Sequence, residues 1–474
     1  MKITKKIILT GMACCFYVSG LFAGGLVTND NQSASYFRML ARGASTSGDA
    51  VYYNPAGLVF LDEGLTISLN SQMIWMERTL TNDLPTLNNS EFIGKLYVPV
   101  FPGVYAAYKT GNWAFSLGFN PPAGGGSVEF AKGLPMLENT VSLIPGLLTP
   151  QGLTTTDYSM QAMMKGTSIV YAVQAGATYK INDMFGVSAG VRMSFANNSY
   201  EGHVKNIMIN PVHPLLNPNG EMQSAPEILT TIGNNVPSLL PLAAATSDQS
   251  LDVKQTGSGI APILGFHYKN NSLNLAAKYE FATKITIKNE TKQNAMNMYP
   301  DKQELRSDIP ALLSLAGSYD IIPALKLSMT YLHHFEPQAT IESWEPDATH
   351  PDGGTIVQRQ KLIDSGTNEY MAGLEWKLTD KLTLSVGGQY SDVGVKDGWQ
   401  NDITHNLDNF TMGLGAAYQL GDRLTLNIGG LYTWYTSASI QGTAIIQGTP
   451  LAVPYTQKYE RTNTAFAIGV DYRF

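Results

Sequence analysis

Ala465-Phe466-Ala467-Ile468-Gly469-Val470-Asp471-Tyr472-Arg473-Phe474 is the stretch from which the fold can be read. Phe466, Ile468, Val470, Tyr472 and Phe474 fall on one side of an extended backbone; Ala465, Ala467, Gly469, Asp471 and Arg473 fall on the other. The period is two, which is that of a strand and not a helix. One face is large and apolar with aromatic rings toward its end, and the other is small or charged. A transmembrane β-barrel strand needs this pattern, with apolar groups toward lipid, polar groups toward the lumen and aromatic rings at the rim.

The same phase recurs upstream. Leu424, Leu426, Ile428, Tyr432 and Trp434 share a face, as do Phe410, Met412, Leu414 and Tyr418. So do Leu382, Leu384, Val386 and Tyr390, and Tyr370, Leu374, Trp376 and Leu378. A slip of one residue would turn each greasy face inward, so agreement across successive strands is informative. A soluble β-sandwich is the rival, but it would bury the aromatic rims. Tight-turn compositions stand at Thr110-Gly111-Asn112, Ile181-Asn182-Asp183, Lys269-Asn270-Asn271, Asp320-Ile321-Ile322-Pro323, Thr379-Asp380 and Gly421-Asp422. Six hairpins plus a first and a last strand predict an antiparallel barrel of fourteen strands, with both ends on the short-turn side.

Composition agrees. The chain has 474 residues, 15% charged, with 45 glycines and 24 tyrosines. Its mean hydropathy is −0.07, and no apolar run reaches the ~18 residues of a spanning helix. Residues 1–23 read as a secretory leader: Lys2, Lys5 and Lys6, an apolar stretch from Ile7 to Val18, and cleavage after Ala23. Cys14 and Cys15 both lie in it, which excludes disulfides and thiolate chemistry from the remainder. The net charge of −7, less three leader lysines, becomes −10 and argues against a nucleic-acid partner.

Two outer loops, near 132–164 and 203–254, are long and apolar. Leu134, Leu137, Val141, Ile144 and Leu148 mark the first; Ile228, Leu229, Ile232, Leu239 and Leu242 mark the second. Disordered loops do not have this composition. Such loops pack as a lid or leave a groove for an apolar ligand. Residues 24–62 lack barrel alternation and carry Ala41-Arg42-Gly43, Asp49-Ala50 and Asn54-Pro55-Ala56-Gly57-Leu58. Fourteen strands enclose more space than side chains fill, so this segment is expected to plug the lumen ahead of a barrel over 63–474. Asn54 suits local backbone capping, and Gly57 suits a positive φ.

With these motifs the chain resembles the long-chain fatty acid transport (FadL-type, including toluene-uptake) outer-membrane channels, along its whole length. The resemblance implies a monomeric Gram-negative outer-membrane channel, surrounded by lipid, for the passive uptake of fatty acids or similar hydrophobic molecules. Outer loops would capture the ligand, the plug would shift, and a kink in the third strand would release it sideways. This chain has its own candidate for that kink. Trp113, Phe115, Leu117 and Phe119 alternate, then Asn120-Pro121-Pro122-Ala123-Gly124-Gly125-Gly126 intervenes before Val128 and Phe130. Two prolines and three glycines must break local pairing; the alternative is that the strand ends at Asn120.

A carboxylate ligand needs a cation. Val187, Ala189, Val191 and Met193 face lipid, which turns Arg192 inward, and it resembles by strand and phase the family's lumenal arginine near the ligand head group. No acid lies near it in sequence, so it either meets the ligand or ties Asp49 of the plug. Lys278 is a second ligand-binding candidate, although Glu280 beside it offers an internal ion pair, as Glu375 does for Lys377. Enzyme signatures are missing: no Gly-x-Ser-x-Gly elbow, phosphate loop or paired cysteines. His333 and His334 are adjacent, so they face opposite ways and cannot share a metal. No cofactor or metal is expected. The competing functions are a channel for neutral aromatic hydrocarbons and a non-transporting structural barrel or adhesin.

Overall fold

The computed structural model describes residues 26, 28–214, 217–295, 297–347, 350, 352–446 and 451–474. The leader and both cysteines lie outside the described residues. The chain forms one closed antiparallel barrel of fourteen strands. They are β1 Gly64–Asn82, β2 Glu91–Thr110, β3 Trp113–Phe130, β4 Tyr158–Lys180, β5 Phe185–Ile209 and β6 Gln249–Asn270. β7 has two segments, Leu273–Glu280 and Thr286–Asn294, and β8 has two, Glu304–Arg306 and Leu312–Ile322. There follow β9 Leu325–His334, β10 Asn368–Lys377, β11 Leu382–Asp392 and β12 Asn409–Leu420. β13 runs as Leu424–Tyr435 and Ala438–Ile445, and β14 is Ala452–Arg473. β14 closes on β1 from Thr66 opposite Arg473 to Asn82 opposite Gln457, so no sheet edge is left open.

The six tight turns join β2–β3, β4–β5, β6–β7, β8–β9, β10–β11 and β12–β13. Gly111, Asn271 and Gly421 adopt positive φ there, the left-handed geometry that two-residue hairpins require. The start of β1 and the end of β14 share that rim, where the Phe474 amide donates to the Leu65 carbonyl at 2.9 Å and Arg473 pairs with Asp62. Phe466, Ile468 and Phe474 are more than half exposed, and the outward rings pair across strands, as Trp113 with Tyr179 at 4.7 Å. Between them the inward positions are buried against the lumen contents.

Those contents are the plug. After an irregular stretch over 28–32 come α1 Ala34–Met39, α2 Ala50–Tyr53 and a 3₁₀ turn Pro55–Phe60. Ser33 caps α1 by accepting from the Tyr36 amide at 3.1 Å, an orphan donor of the first turn. The wall facing α1 is lined with glycine. A Cβ on Gly373 would lie 2.3 Å from the Met39 carbonyl oxygen, one on Gly387 2.5 Å from the same atom, and one on Gly413 2.4 Å from the Phe37 carbonyl oxygen. These residues stand on adjacent strands, Gly373 opposite Gly387 and Gly387 opposite Gly413. The helix backbone thus rests directly on the wall.

The long outer connections occupy 131–157 and 210–248, narrower than the sequence suggests, because β4, β5 and β6 rise beyond the expected boundaries. The first holds α3 Pro135–Ser142 and α4 Ile144–Leu148; the second holds α5 Ala225–Gly233 and α6 Leu240–Ala245. Their apolar residues, including Leu137, Val141, Ile144, Leu229 and Leu242, are buried in the main hydrophobic cluster.

Candidate functional site

The wall is discontinuous between β2 and β3. Pairing runs from Thr110–Trp113 to Val104–Phe119, stops, and resumes at Leu96–Val128. The interruption coincides with Pro121, Pro122, Ala123, Gly124, Gly125 and Gly126. Proline has no N–H to donate, and Gly124 and Gly126 take φ of 85° and 115°, which a side chain would resist. β3 does not end at Asn120: it follows β4 through two irregularities as far as Phe130, while Asn120 to Gly124 turn inward and become buried.

The freed backbone groups are taken up by the plug. The Asn29 amide donates to the Pro122 carbonyl at 2.8 Å, and Gln32 Nε2 to the Pro121 carbonyl at 3.1 Å. Asn29 Nδ2 reaches the Gly124 carbonyl, and Asn120 Nδ2 donates to Gln32 Oε1 at 2.9 Å. Backbone at membrane depth persists only when its polar groups find such partners.

The Asn54-Pro55-Ala56-Gly57 turn anchors the other end of the plug. Asn54 is fully buried; its Oδ1 accepts from the Ala56 amide at 3.2 Å and its Nδ2 donates to the Phe266 carbonyl at 3.0 Å. Pro55 opens the 3₁₀ turn, where its missing N–H costs nothing, and its carbonyl accepts from Thr178 Oγ1 at 2.9 Å. Gly57 does not adopt a positive φ, contrary to the sequence reading. Its requirement is steric: a Cβ would lie 2.3 Å from the Ser45 carbonyl oxygen.

Arg192 points inward and is buried, and it has an acid after all. Its Nη2 donates to Glu280 Oε1 at 3.1 Å, and Gln174 Oε1 accepts from Nε and Nη2 at 3.1 and 2.7 Å. Lys278 pairs with the same Glu280 and donates to the Tyr52 carbonyl at 3.1 Å. Both cations lie over the Tyr52 ring, 4.9 and 5.1 Å from its centroid. Asp49 belongs to Arg42, 2.8 Å away, which with Ser33 and Ser45 holds its carboxyl below the ordinary range despite the opposing effect of burial. Glu375 pairs with Arg38 of the plug, a partner the sequence did not suggest.

A second basic site lies higher in the lumen. Arg78 on β1 and Arg461 on β14 are cross-strand partners, with 1% and 5% exposure. Arg78 Nη1 donates to the Ile403 carbonyl at 3.0 Å, and the Arg461 guanidinium lies over the Tyr435 ring at 4.7 Å. Nε and Nη2 of both arginines have no partner, nor have the two ring nitrogens of His405 beside them. Among the described residues no carboxylate is within ion-pair distance of either arginine. Burial, then the two guanidiniums, push the His405 imidazole well below its ordinary value and keep it neutral. An uncompensated buried charge costs several kcal/mol, so this site is chemically prepared for an anion. The sequence held one clue: both arginines are in the inward phase of the two strands that must meet when the cylinder closes.

An apolar track starts there. Met76 shares the inward face with Arg78 and stands opposite Leu96; Leu96 stands opposite Val128, the first pair beyond the break in β3. Leu80, Phe92 and Phe130 flank it in the same buried cluster.

The sequence matches the family described as outer membrane protein transport protein (OMPP1/FadL/TodX) over residues 16–474. A search of curated proteins returns no match. A FadL homologue from Pseudomonas aeruginosa is structurally similar with TM-score 0.64 at 13% identity, covering 96% of this chain and 100% of that one. The P. putida toluene transporter TodX follows at TM-score 0.58 and 16% identity, covering 91% and 95%. The Ralstonia pickettii toluene transporter TbuX gives TM-score 0.51 at 15% identity, covering 90% and 94%. With a lipid-facing closed barrel and a match that spans almost all of its length, the chain belongs to this OMPP1/FadL/TodX family and is an outer-membrane channel for hydrophobic compounds in a Gram-negative cell.

Proposed function

We propose that the protein is a monomeric channel for passive uptake of long hydrophobic molecules that carry an acid group, fatty acids being the chemical type. The observation that carries this reading is the buried Arg78–Arg461 pair, two guanidiniums without an acid. A carboxylate entering between them would gain charge-assisted hydrogen bonds, and bidentate geometry suits this donor. Its alkyl chain would follow Met76, Leu96 and Val128 toward the break in β3. Arg192 and Lys278 would be a deeper station for the head group, since two cations face one carboxylate there. Displacement of the 28–32 stretch from Pro121, Pro122 and Gly124 would then open the wall between β2 and β3 for lateral release.

Solved relatives described as toluene transporters motivate a second reading, a channel for neutral aromatics. Such a ligand has no use for a desolvated arginine pair. Equilibrium binding of a long-chain fatty acid and of an alkylbenzene to the purified protein tests the two. Arg461→Ala should weaken the acid by about tenfold or more and leave the neutral ligand within about twofold; equal losses would reject the acid-group reading.

A further inference from the structure

Asp30, His334 and Glu369 converge inside the lumen, where the plug meets β9 and β10 next to the inturned β3 kink. Each offers one ligand atom, and these atoms lie within 4.8 Å of one another. Exposure is 5% for Asp30 and 0% for the other two. Asp30 belongs to the plug, His334 ends β9 and Glu369 begins β10. We propose that these three side chains bind a divalent transition ion of the zinc class and thereby fasten the plug to the wall.

The donor set is one imidazole and two carboxylates, which suits zinc and its neighbours; magnesium and calcium prefer shells made wholly of oxygen. His334 Nε2 is 3.5 Å from Glu369 Oε2, close to the ~3.4 Å edge of a tetrahedron with ~2.05 Å bonds. The supporting contacts leave the correct atoms free. Thr28 Oγ1 lies 3.3 Å from His334 Nδ1, so Nδ1–H can donate to it and present Nε2 as a lone pair. Glu369 Oε1 accepts from Gln389 Nε2 at 2.9 Å and Ser391 Oγ at 3.0 Å, which leaves Oε2 toward the histidine. Asp30 Oδ2 is buried and has no partner. A cavity of about 20 Å³, room for one water, adjoins Asp30. Lys278, which lines the same cavity as Asp30, is engaged with Glu280 and the Tyr52 carbonyl.

The position gives the ion a mechanical role. Thr28 forms a backbone bridge with Ala123 of the kink while its hydroxyl meets His334. Asn29 bonds Pro122 and Gly124, and the next residue is the ligand Asp30. Residues 28–30 therefore tie the β3 break to β9 and β10, and the ion would fasten their contact with the wall. That consequence rests on the lateral-release reading; the site itself does not.

The test uses the full chain in detergent, stripped with chelator and then titrated with Zn²⁺ alone. One zinc per chain is expected. Asp30→Asn, His334→Gln and Glu369→Gln should each weaken uptake by more than the roughly 10–100-fold that loss of a supporting contact costs, and Thr28→Val by about that amount. Asp183→Asn, in an exposed turn, should retain it. Heat-modifiable gel mobility checks that each variant folds, and Co²⁺ absorption of the unaltered chain reads the site without any variant. Failure of the unaltered chain to take up zinc or to give a four-coordinate cobalt band overturns the proposal, as does undiminished uptake by folded Asp30→Asn and His334→Gln. Fatty-acid binding measured in parallel keeps this result separate from the acid-group reading.

Discussion

Arg78 and Arg461 sit opposite each other on the first and last strands, and both guanidiniums are buried without an acid. Like charges at directly opposed positions destabilise a sheet, so a ligand anion would offset a cost already present in the fold. Arg461→Leu is expected to raise thermal stability by about 1–3 kcal/mol while weakening fatty-acid binding. Thermal unfolding in detergent together with ligand titration checks both signs; a fall in stability would mean that the arginine has a compensating partner.

Glu280 is shared by Arg192 and Lys278. Glu280→Gln leaves two buried cations without an anion and should destabilise by roughly 3–5 kcal/mol. The melting temperature followed on heat-modifiable gels would drop, whereas Lys278→Met, which keeps the Arg192–Glu280 pair, should cost less.

The Met136 amide donates to Asp402 Oδ2 at 2.8 Å, tying the β3–β4 lid to the β11–β12 loop. Burial pushes the Asp402 carboxyl up from 3.8 to about 6. A raised carboxyl stabilises the fold in its protonated form, fully below the ordinary value, and that contribution is lost as pH rises through about 6. Protection of the Met136 amide against exchange, corrected for intrinsic rate, should fall by up to roughly 100-fold between pH 4 and 7. Asp402→Asn should make it flat across that range.

Gly387 lies under α1, and a Cβ there would stand 2.5 Å from the Met39 carbonyl oxygen and 2.7 Å from its carbon. Gly387→Ala must displace the plug, at a cost of about 1–3 kcal/mol. Faster exchange of the α1 amides and higher single-channel conductance in planar bilayers are expected; unchanged conductance would mean that the helix has room to settle.

Replacing Gly124, Gly125 and Gly126 with valine tests the wall opening. Gly124 and Gly126 hold positive φ, and a Cβ on Gly124 would lie 2.5 Å from Ile169 Cα. The triple variant should cut uptake of a labelled fatty acid by about tenfold or more while binding to the unopened protein stays within about twofold. A non-transporting barrel predicts no change in uptake.

Much of the fold could be read from local signals. Alternation and turn chemistry act within a few residues, so the fourteen strands, the six tight turns and the inward phase of Arg192 follow from short windows. Partners could not be read in this way. Arg192 and Glu280 are brought together by the register of β5, β6 and β7, Arg38 and Glu375 by the seating of α1, and Asp30, His334 and Glu369 by the plug crossing the lumen. Each depends on how the cylinder closes, which no window contains. Gly57 illustrates the limit well: glycine signals either a left-handed backbone or a crowded one, and only the Ser45 carbonyl beside it decides which.

The bare glycine row under α1 also bears on assembly. α1 rests its backbone on glycines of β10, β11 and β12, inside a cylinder whose seam joins Thr66 to Arg473. A cylinder zipped before the cork was seated would leave this glycine row facing an unfilled lumen, so corking and closure are expected to be coupled during maturation.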